Sequence, residues 1–299
     1  MSSFLIASTV DDALAALADG ARPIAGGSDL VVGARHGKFP LPDDLVAIDR
    51  IDGLDTIAED AAGLSIGATT THAQLMVNPL VVQHATAIAD GAALVGSPAT
   101  RNVGTLGGNI MNGSPAMDTG AGLIVLAASA TLRRQSGERS VPVAELWTGP
   151  GSTIAADDEL CTSVEIPAPS GPRGSAYVRL EYRRSMEIAV VGAAAAVTLD
   201  DDGMIASIRV ALAAVAPTII EVEHLGSISG IDELDEGTLA RISTSAAAQA
   251  RPISDVRASD DYRRHMVGVM ATRAVDAAHR RARGESIAVP VNRAVGVGR

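Results

Sequence analysis

Gly96-Ser97-Pro98-Ala99-Thr100-Arg101-Asn102-Val103-Gly104-Thr105-Leu106-Gly107-Gly108-Asn109 is the stretch on which the reading of this chain turns. Gly104, Thr105, Gly107 and Gly108 crowd small or hydroxyl-bearing residues together, and the amide of Asn109 follows. Glycine reaches φ > 0 and lets a ligand approach its N–H, since no Cβ intervenes. Thr and Asn add side-chain hydrogen-bonding groups. Such a loop can wrap an anion, a phosphate for instance, in backbone amides. A glycine turn with no ligand has the same composition, so one loop alone decides nothing.

A second loop of the same kind lies upstream, at Ile24-Ala25-Gly26-Gly27-Ser28-Asp29-Leu30. Ile24 and Ala25 read as the end of a short buried strand. Gly26-Gly27 reads as a tight turn, and Ser28 or Asp29 as the cap of a helix over Leu30-Val31-Val32-Gly33-Ala34. Strand, turn and helix N-terminus together favour an anion. Neither loop is a known single-loop signature: no G-x-G-x-x-G follows the first strand, and no Gly-Lys-Ser/Thr occurs. Two separated glycine loops suggest a pyrophosphate gripped from two sides.

With 299 residues the chain can form two or three packed units. Hydrophobic residues make up 47% and charged ones 20%, a globular balance. Aromatics are only 2%, so the core must be aliphatic and a base-stacking surface is not expected. The net charge of −11 argues against nucleic acid, whose binding depends on neutralising phosphates. The N-terminus has no signal-peptide pattern and no apolar run is long enough for a transmembrane helix, so the cytoplasm is the expected location. The single cysteine, Cys161, excludes an internal disulfide and a cysteine-held cluster.

In chain order, Thr9 with Asp12 forms a capping box for a helix to Asp19. Leu45–Ile48 and Leu64–Ala68 read as strands, and Thr69–Thr71 opens a helical stretch containing His72, read as structural. Ala85–Val95 is an Ala-rich helix leading into the central loop, and Gly120–Ala128 a buried helix. Strands are expected at Thr131–Arg134, Arg139–Val143 and Glu159–Pro167, the last burying Cys161. Pro167–Gly174, with three prolines in eight residues, is the domain boundary. Beyond it lie a strand at Ser175–Arg183 and a hairpin of Ala189–Leu199 with Met204–Ala214 around Asp200-Asp201-Asp202-Gly203. Helices over Leu234–Ala250 and Ser259–Arg283 follow. The basic end of the last one, His279 to Arg283, reads as a solvated terminus. Residues 284–299 read as a tail or a docking arm.

The two loops, in this order and separation, resemble those of the FAD-binding medium subunits of the molybdenum hydroxylases, the xanthine dehydrogenase and carbon monoxide dehydrogenase family. Ala25–Ser28 is similar to that family's Ala-Gly-Gly-x-Ser, one intervening residue short, and Thr105–Asn109 to its Thr-Ile-Gly-Gly-Asn, with Leu106 for Ile. Arg101-Asn102, Ser114-Pro115-Ala116-x-Asp118, Ser254-Asp255-Val256-Arg257 and Tyr262-Arg263-Arg264 extend the likeness over nearly the whole chain.

The resemblance implies an α+β protein. A p-cresol-methylhydroxylase-type FAD domain of two α/β subdomains, about 1–55 and 56–167, precedes a C-terminal domain, 174–283, with a three-stranded antiparallel sheet and helices. It implies that Pro23, Ile24, Ala25, Gly26, Gly27, Ser28, Asp29 and Leu30, with Thr105, Leu106, Gly107, Gly108 and Asn109, wrap the FAD pyrophosphate. Asp118 would bond the ribose end, Val95 would line the cleft, and Cys161 and Arg179 would approach the flavin. Arg179 departs from the Lys often found there. Ile188 would cover the ring as an aliphatic lid, where carbon monoxide dehydrogenases often carry Tyr. This tilts the substrate toward an N-heterocycle or aldehyde. The implied partners are a large molybdopterin-binding subunit and a small subunit with two [2Fe-2S] clusters, in a dimer of heterotrimers. No catalytic residue and no metal ligand is expected in this chain. A stand-alone flavin oxidase of the same fold is the alternative.

Overall fold

A computed structural model of the chain describes residues 3–226 and 228–294, apart from the Arg293 side chain. The first unit is β1 (Ser3–Ile6), α1 (Val10–Ala18), β2 (Arg22–Ile24), α2 (Leu30–Arg35) and β3 (Asp44–Ala47). Its parallel sheet has the order β1-β3-β2. The capping box forms as expected: the Thr9 hydroxyl accepts from the Asp12 N–H, and the Asp12 carboxylate accepts from the Thr9 N–H. β2 is half-buried rather than buried, because it lies at the sheet edge.

The second unit runs β4 (Ile57–Asp60), β5 (Gly63–Gly67), α3 (His72–Leu75), α4 (Pro79–His84), α5 (Thr86–Leu94), α6 (Pro98–Val103), α7 (Leu106–Met111), α8 (Gly120–Val125), β6 (Ser129–Arg134), β7 (Gly137–Pro142), α9 (Val143–Leu146), β8 (Trp147–Gly149), β9 (Ser152–Thr153) and β10 (Leu160–Pro167). Five of these strands form an antiparallel sheet, β4-β5-β10-β6-β7.

The third unit holds β11 (Arg173–Leu180), β12 (Val191–Leu199), β13 (Ile205–Ala213) and β14 (Ile220–Glu221), then α10 (Glu236–Gln249) and α11 (Asp260–Ala282). The expected hairpin joins β12 and β13, but the antiparallel sheet has four strands, not three, because two residues after β13 add to its edge. Alternation sorts this sheet's side chains to two cores. Tyr177, Ala194, Ala196, Ala211 and Ala213 join the core of the second unit, with Leu123 and Ile88. Val178, Ala193, Ala195, Val210 and Leu212 join the core beneath α10 and α11. Small residues here set the spacing: a Cβ on Gly174 would come within 2.1 Å of the Ala278 carbonyl oxygen in α11.

The basic end of α11 is not a solvated terminus. The Arg281 side chain is 6% exposed and its guanidinium donates to Asp90 of α5 at 2.6 Å. Nor do the described residues after Gly284 form a free tail. Val291 is buried, its N–H donates to Asp90 at 2.9 Å, and a turn of 3-10 helix covers Val291–Arg293. The segment is a docking arm, and residues 295–299 lie outside the described ones.

Candidate cofactor-binding site

The two glycine loops touch. A Cβ built on Gly26 would stand 1.7 Å from the Val103 carbonyl oxygen, so only glycine allows this backbone contact. Gly27 has φ +65°, the left-handed region. Among the described residues, no hydrogen bond takes the amides of Gly26, Gly27, Ser28 or Asp29. The expected side-chain cap is missing: Asp29 occupies the N-cap of α2 in helical backbone and makes no capping bond. These amides are therefore free for a ligand.

The second loop differs from its expectation. The Leu106 N–H donates to Thr70 O at 2.9 Å and that of Gly107 to Ala68 O at 2.8 Å. The Gly108 N–H donates to Thr105 Oγ1 at 3.1 Å, and that of Asn109 to Thr105 O at 2.9 Å. The stretch is a capped helical turn, not a nest of open amides. Its glycines have separate uses. A Cβ on Gly107 would lie 2.6 Å from the Ala68 Cβ, so Gly107 serves packing. Gly108 is exposed, and a Cβ there would meet only Thr105 Oγ1 of its own turn. Asn109 Oδ1 accepts from the Thr119 hydroxyl at 2.7 Å, and its side-chain nitrogen has no partner among the described residues.

Behind the junction sits His72, 1% exposed, with Nδ1 unpartnered. Its N–H donates to Gly104 O at 3.0 Å, and Thr71 bridges Thr105. Burial, then the Arg101 charge, lower its pKa to about 4, so the imidazole is neutral. Arg101 donates to the carbonyl of the half-buried Val95 at 2.8 Å, which sets the C-terminal end of α5 beside α6.

Two of the residues expected near the cofactor, Asp118 and Cys161, are buried. Asp118 is buried and both its oxygens are used internally, by the Tyr177 hydroxyl and Arg179 Nη1, each at 2.8 Å. These bonds fix the carboxylate between the second and third units. Burial raises the Asp118 pKa against the pull of Arg179. Cys161 lies in the core opposite Leu132, its thiol pushed up to about 12 by burial, so it is an unreactive packing residue.

Arg179 is fully buried and does not itself reach an open cleft. Its guanidinium donates to Asp118, Glu181, Leu94 O at 3.0 Å and Glu187 O at 3.4 Å. Burial disfavours its charge, but Asp118, Tyr177 and Glu181 outweigh this and raise its pKa. The loop from Glu181 to Val190 leaves this anchor and reaches the central stretch. Met186 N–H donates to Gly96 O at 3.0 Å, and Ser185 Oγ reaches the same carbonyl. Ile188 on this loop is 48% exposed.

Residues 1–169 match the family described as the FAD binding domain in molybdopterin dehydrogenase, and residues 176–278 match the CO dehydrogenase flavoprotein C-terminal domain. The chain belongs to the flavin subunits of the molybdenum hydroxylases. It is 32% identical over 282 residues to the xanthine dehydrogenase FAD-binding subunit of Escherichia coli O157:H7, covering 93% of this chain and 96% of that one. It is 32% identical over 270 residues to the carbon monoxide dehydrogenase medium chain of Afipia carboxidovorans, covering 90% and 93%. Among solved structures, reconstituted CO dehydrogenase from Oligotropha carboxidovorans superposes with a TM-score of 0.87 at 31% identity, covering 94% of this chain and 98% of that one. Quinoline 2-oxidoreductase from Pseudomonas putida 86 gives 0.86 at 26%, with the same coverage. The flavin subunit is thus an oxidoreductase component whose cofactor is FAD.

The junction is compatible with that cofactor: the first loop has free amides, its backbone touches Val103 and Gly104, and the segment beyond them carries an exposed glycine, Gly108. Sequence reading missed Asp90, Arg281 and Asn292. Asp90, one acid inside the small apolar helix Thr86–Leu94, was the available signal.

Proposed function

We propose that this flavin subunit binds the FAD pyrophosphate at the junction of the two loops, with Gly26 to Asp29 donating amides and Gly108 and Asn109 forming the opposite wall. The contact of Gly26 with Val103 O supports the reading, because it brings the loop with the free amides against the segment that leads into Thr105–Asn109. Bound FAD supplies two-electron storage, filled from iron–sulfur clusters and emptied to an external acceptor. This chain's part is to hold the cofactor, exclude water and limit access to the ring. His72, buried and neutral, puts no charge behind the phosphates, and its Nδ1 is left without a partner among the described residues. The loop carrying Ile188 covers the ring with an aliphatic side chain. Val95 and Leu30 line the cleft.

The complex would pair this subunit with a large molybdopterin-binding subunit and a small [2Fe-2S] subunit in a cytoplasmic dimer of heterotrimers, with an N-heterocycle or aldehyde as substrate. Gly108→Val tests the binding site. Its Cβ meets only its own turn, so the fold should persist while the branched side chain blocks the phosphate. The expected result is a folded protein with a small drop in melting temperature, from the Thr105 cap that the new Cβ crowds, and loss of flavin absorbance from the purified protein. Stoichiometric FAD in the variant would overturn the assignment.

A further inference from the structure

β11 is an edge strand, and its outward backbone groups are buried, so each needs a partner. They find side chains at alternate residues. Ser175 O accepts from Arg281 at 2.8 Å, and Tyr177 N–H donates to Asp90 at 3.1 Å. At Arg179 the partner is Asn292 of the C-terminal arm, itself 2% exposed. Asn292 Oδ1 accepts from the Arg179 N–H at 3.0 Å, and Nδ2 donates to Arg179 O at 2.9 Å. One side chain thus takes both backbone groups, as a neighbouring strand would.

We propose that Asn292 is a positioning residue for the loop that covers the cofactor: it fixes the backbone of Arg179, whose guanidinium holds the far end of that loop at Glu187 O. The assignment rests on the reading of residues 181–190 as the cover. Between its anchors at Arg179 and Gly96, this loop exposes residues 182–186 to solvent. Freedom in the Arg179 backbone moves the guanidinium, and with it the carbonyl that ends the exposed span. The arm therefore acts on the cover without touching the cofactor. The Asp90 carboxylate, held by Arg281 at 2.6 Å, keeps the arm in place through the Val291 N–H.

Limited trypsin cleavage at Arg183 and Arg184 reports on the loop. In FAD-loaded protein, Asn292→Ala should be cut there about tenfold faster at unchanged flavin content, since two buried hydrogen bonds are lost. Asn292→Asp, which keeps the acceptor and loses the donor, should fall between. Val267→Ala removes core packing in α11 and none of the hydrogen bonds that hold the loop or the arm. It should lower the melting temperature and leave cleavage unchanged. Equal cleavage of wild type and Asn292→Ala overturns the assignment, as does equal acceleration by Val267→Ala. The cover itself is judged separately in wild type, where adding FAD to apoprotein should slow the cut. No protection there overturns the cover, and the proposal with it.

Discussion

His72 lies in a polar stretch of sequence, Thr69-Thr70-Thr71, yet its ring is 1% exposed and Nδ1 has no partner. An unfolded imidazole takes a proton near pH 6.5, whereas the folded one waits until about 4, chiefly because burial disfavours its charge. Between those values the unfolded chain binds the extra proton, so stability is complete above pH 6.5 and falls as the pH drops toward 4. The loss is about 3 kcal/mol by linkage. His72→Gln should flatten that limb in chemical denaturation at pH 7, 5.5 and 4.5; an unchanged slope would show that His72 does not cause it. Gly26 makes the second residue-level case. Gly26→Ala puts a Cβ 1.7 Å from a carbonyl oxygen, so the loops must separate. Both FAD content and stability should fall, the latter by about 1–3 kcal/mol, more than for Gly108→Val, whose Cβ meets only a side-chain hydroxyl rather than backbone. An unchanged denaturation midpoint for Gly26→Ala would refute the backbone contact. The glycine pattern was visible in the sequence, but the use of each glycine was not. Gly26, Gly107 and Gly108 look alike until their neighbours are known, and Ala68 and Val103 come from different segments.

Elements closed by local chemistry were legible. Thr9 with Asp12, Asp200–Gly203 and Ser259 mark their elements within a few residues, and the structure places a helix, a hairpin and a helix there. Elements defined by distant contacts were not. The arm after Gly284 has no periodicity, since it is held by Asp90 and Arg179 rather than by its own pattern. The loop from Glu181 to Val190 is intermediate: its sequence marked Ile188 but not its anchors. The strand follows only from Val191, so Ile188 is free of the sheet and 48% exposed, as a cover requires. Ile188→Tyr should slow reoxidation of the dithionite-reduced protein by dioxygen several-fold at unchanged FAD content. Identical stopped-flow traces for the two proteins would remove Ile188 from the ring.

At the scale of the whole molecule, the sequence suggested a domain boundary at Pro167–Gly174, while the packing shows how strongly the two sides are joined. Tyr177, Ala194 and Ala213 from beyond that linker share one core with Ile88 and Leu123 from before it. Across the seam, Arg281 donates twice to Asp90, 191 residues away, and Asp90 also accepts from the Tyr177 and Val291 N–H groups. Breaking a buried pair leaves an uncompensated charge and typically costs about 3–5 kcal/mol, whereas removing both charges often costs little. Asp90→Asn should therefore lower the unfolding free energy by about 3 kcal/mol, and Asp90→Asn with Arg281→Met should recover part of it. The shared core further requires that wild type unfold in one transition, with tryptophan fluorescence from Trp147 before the linker and far-UV dichroism giving the same midpoint. Two separated midpoints in wild type would mean that the seam couples the halves less than its contacts imply. A double variant no more stable than Asp90→Asn would place the cost in the lost backbone partners, not in the stranded charge of Arg281.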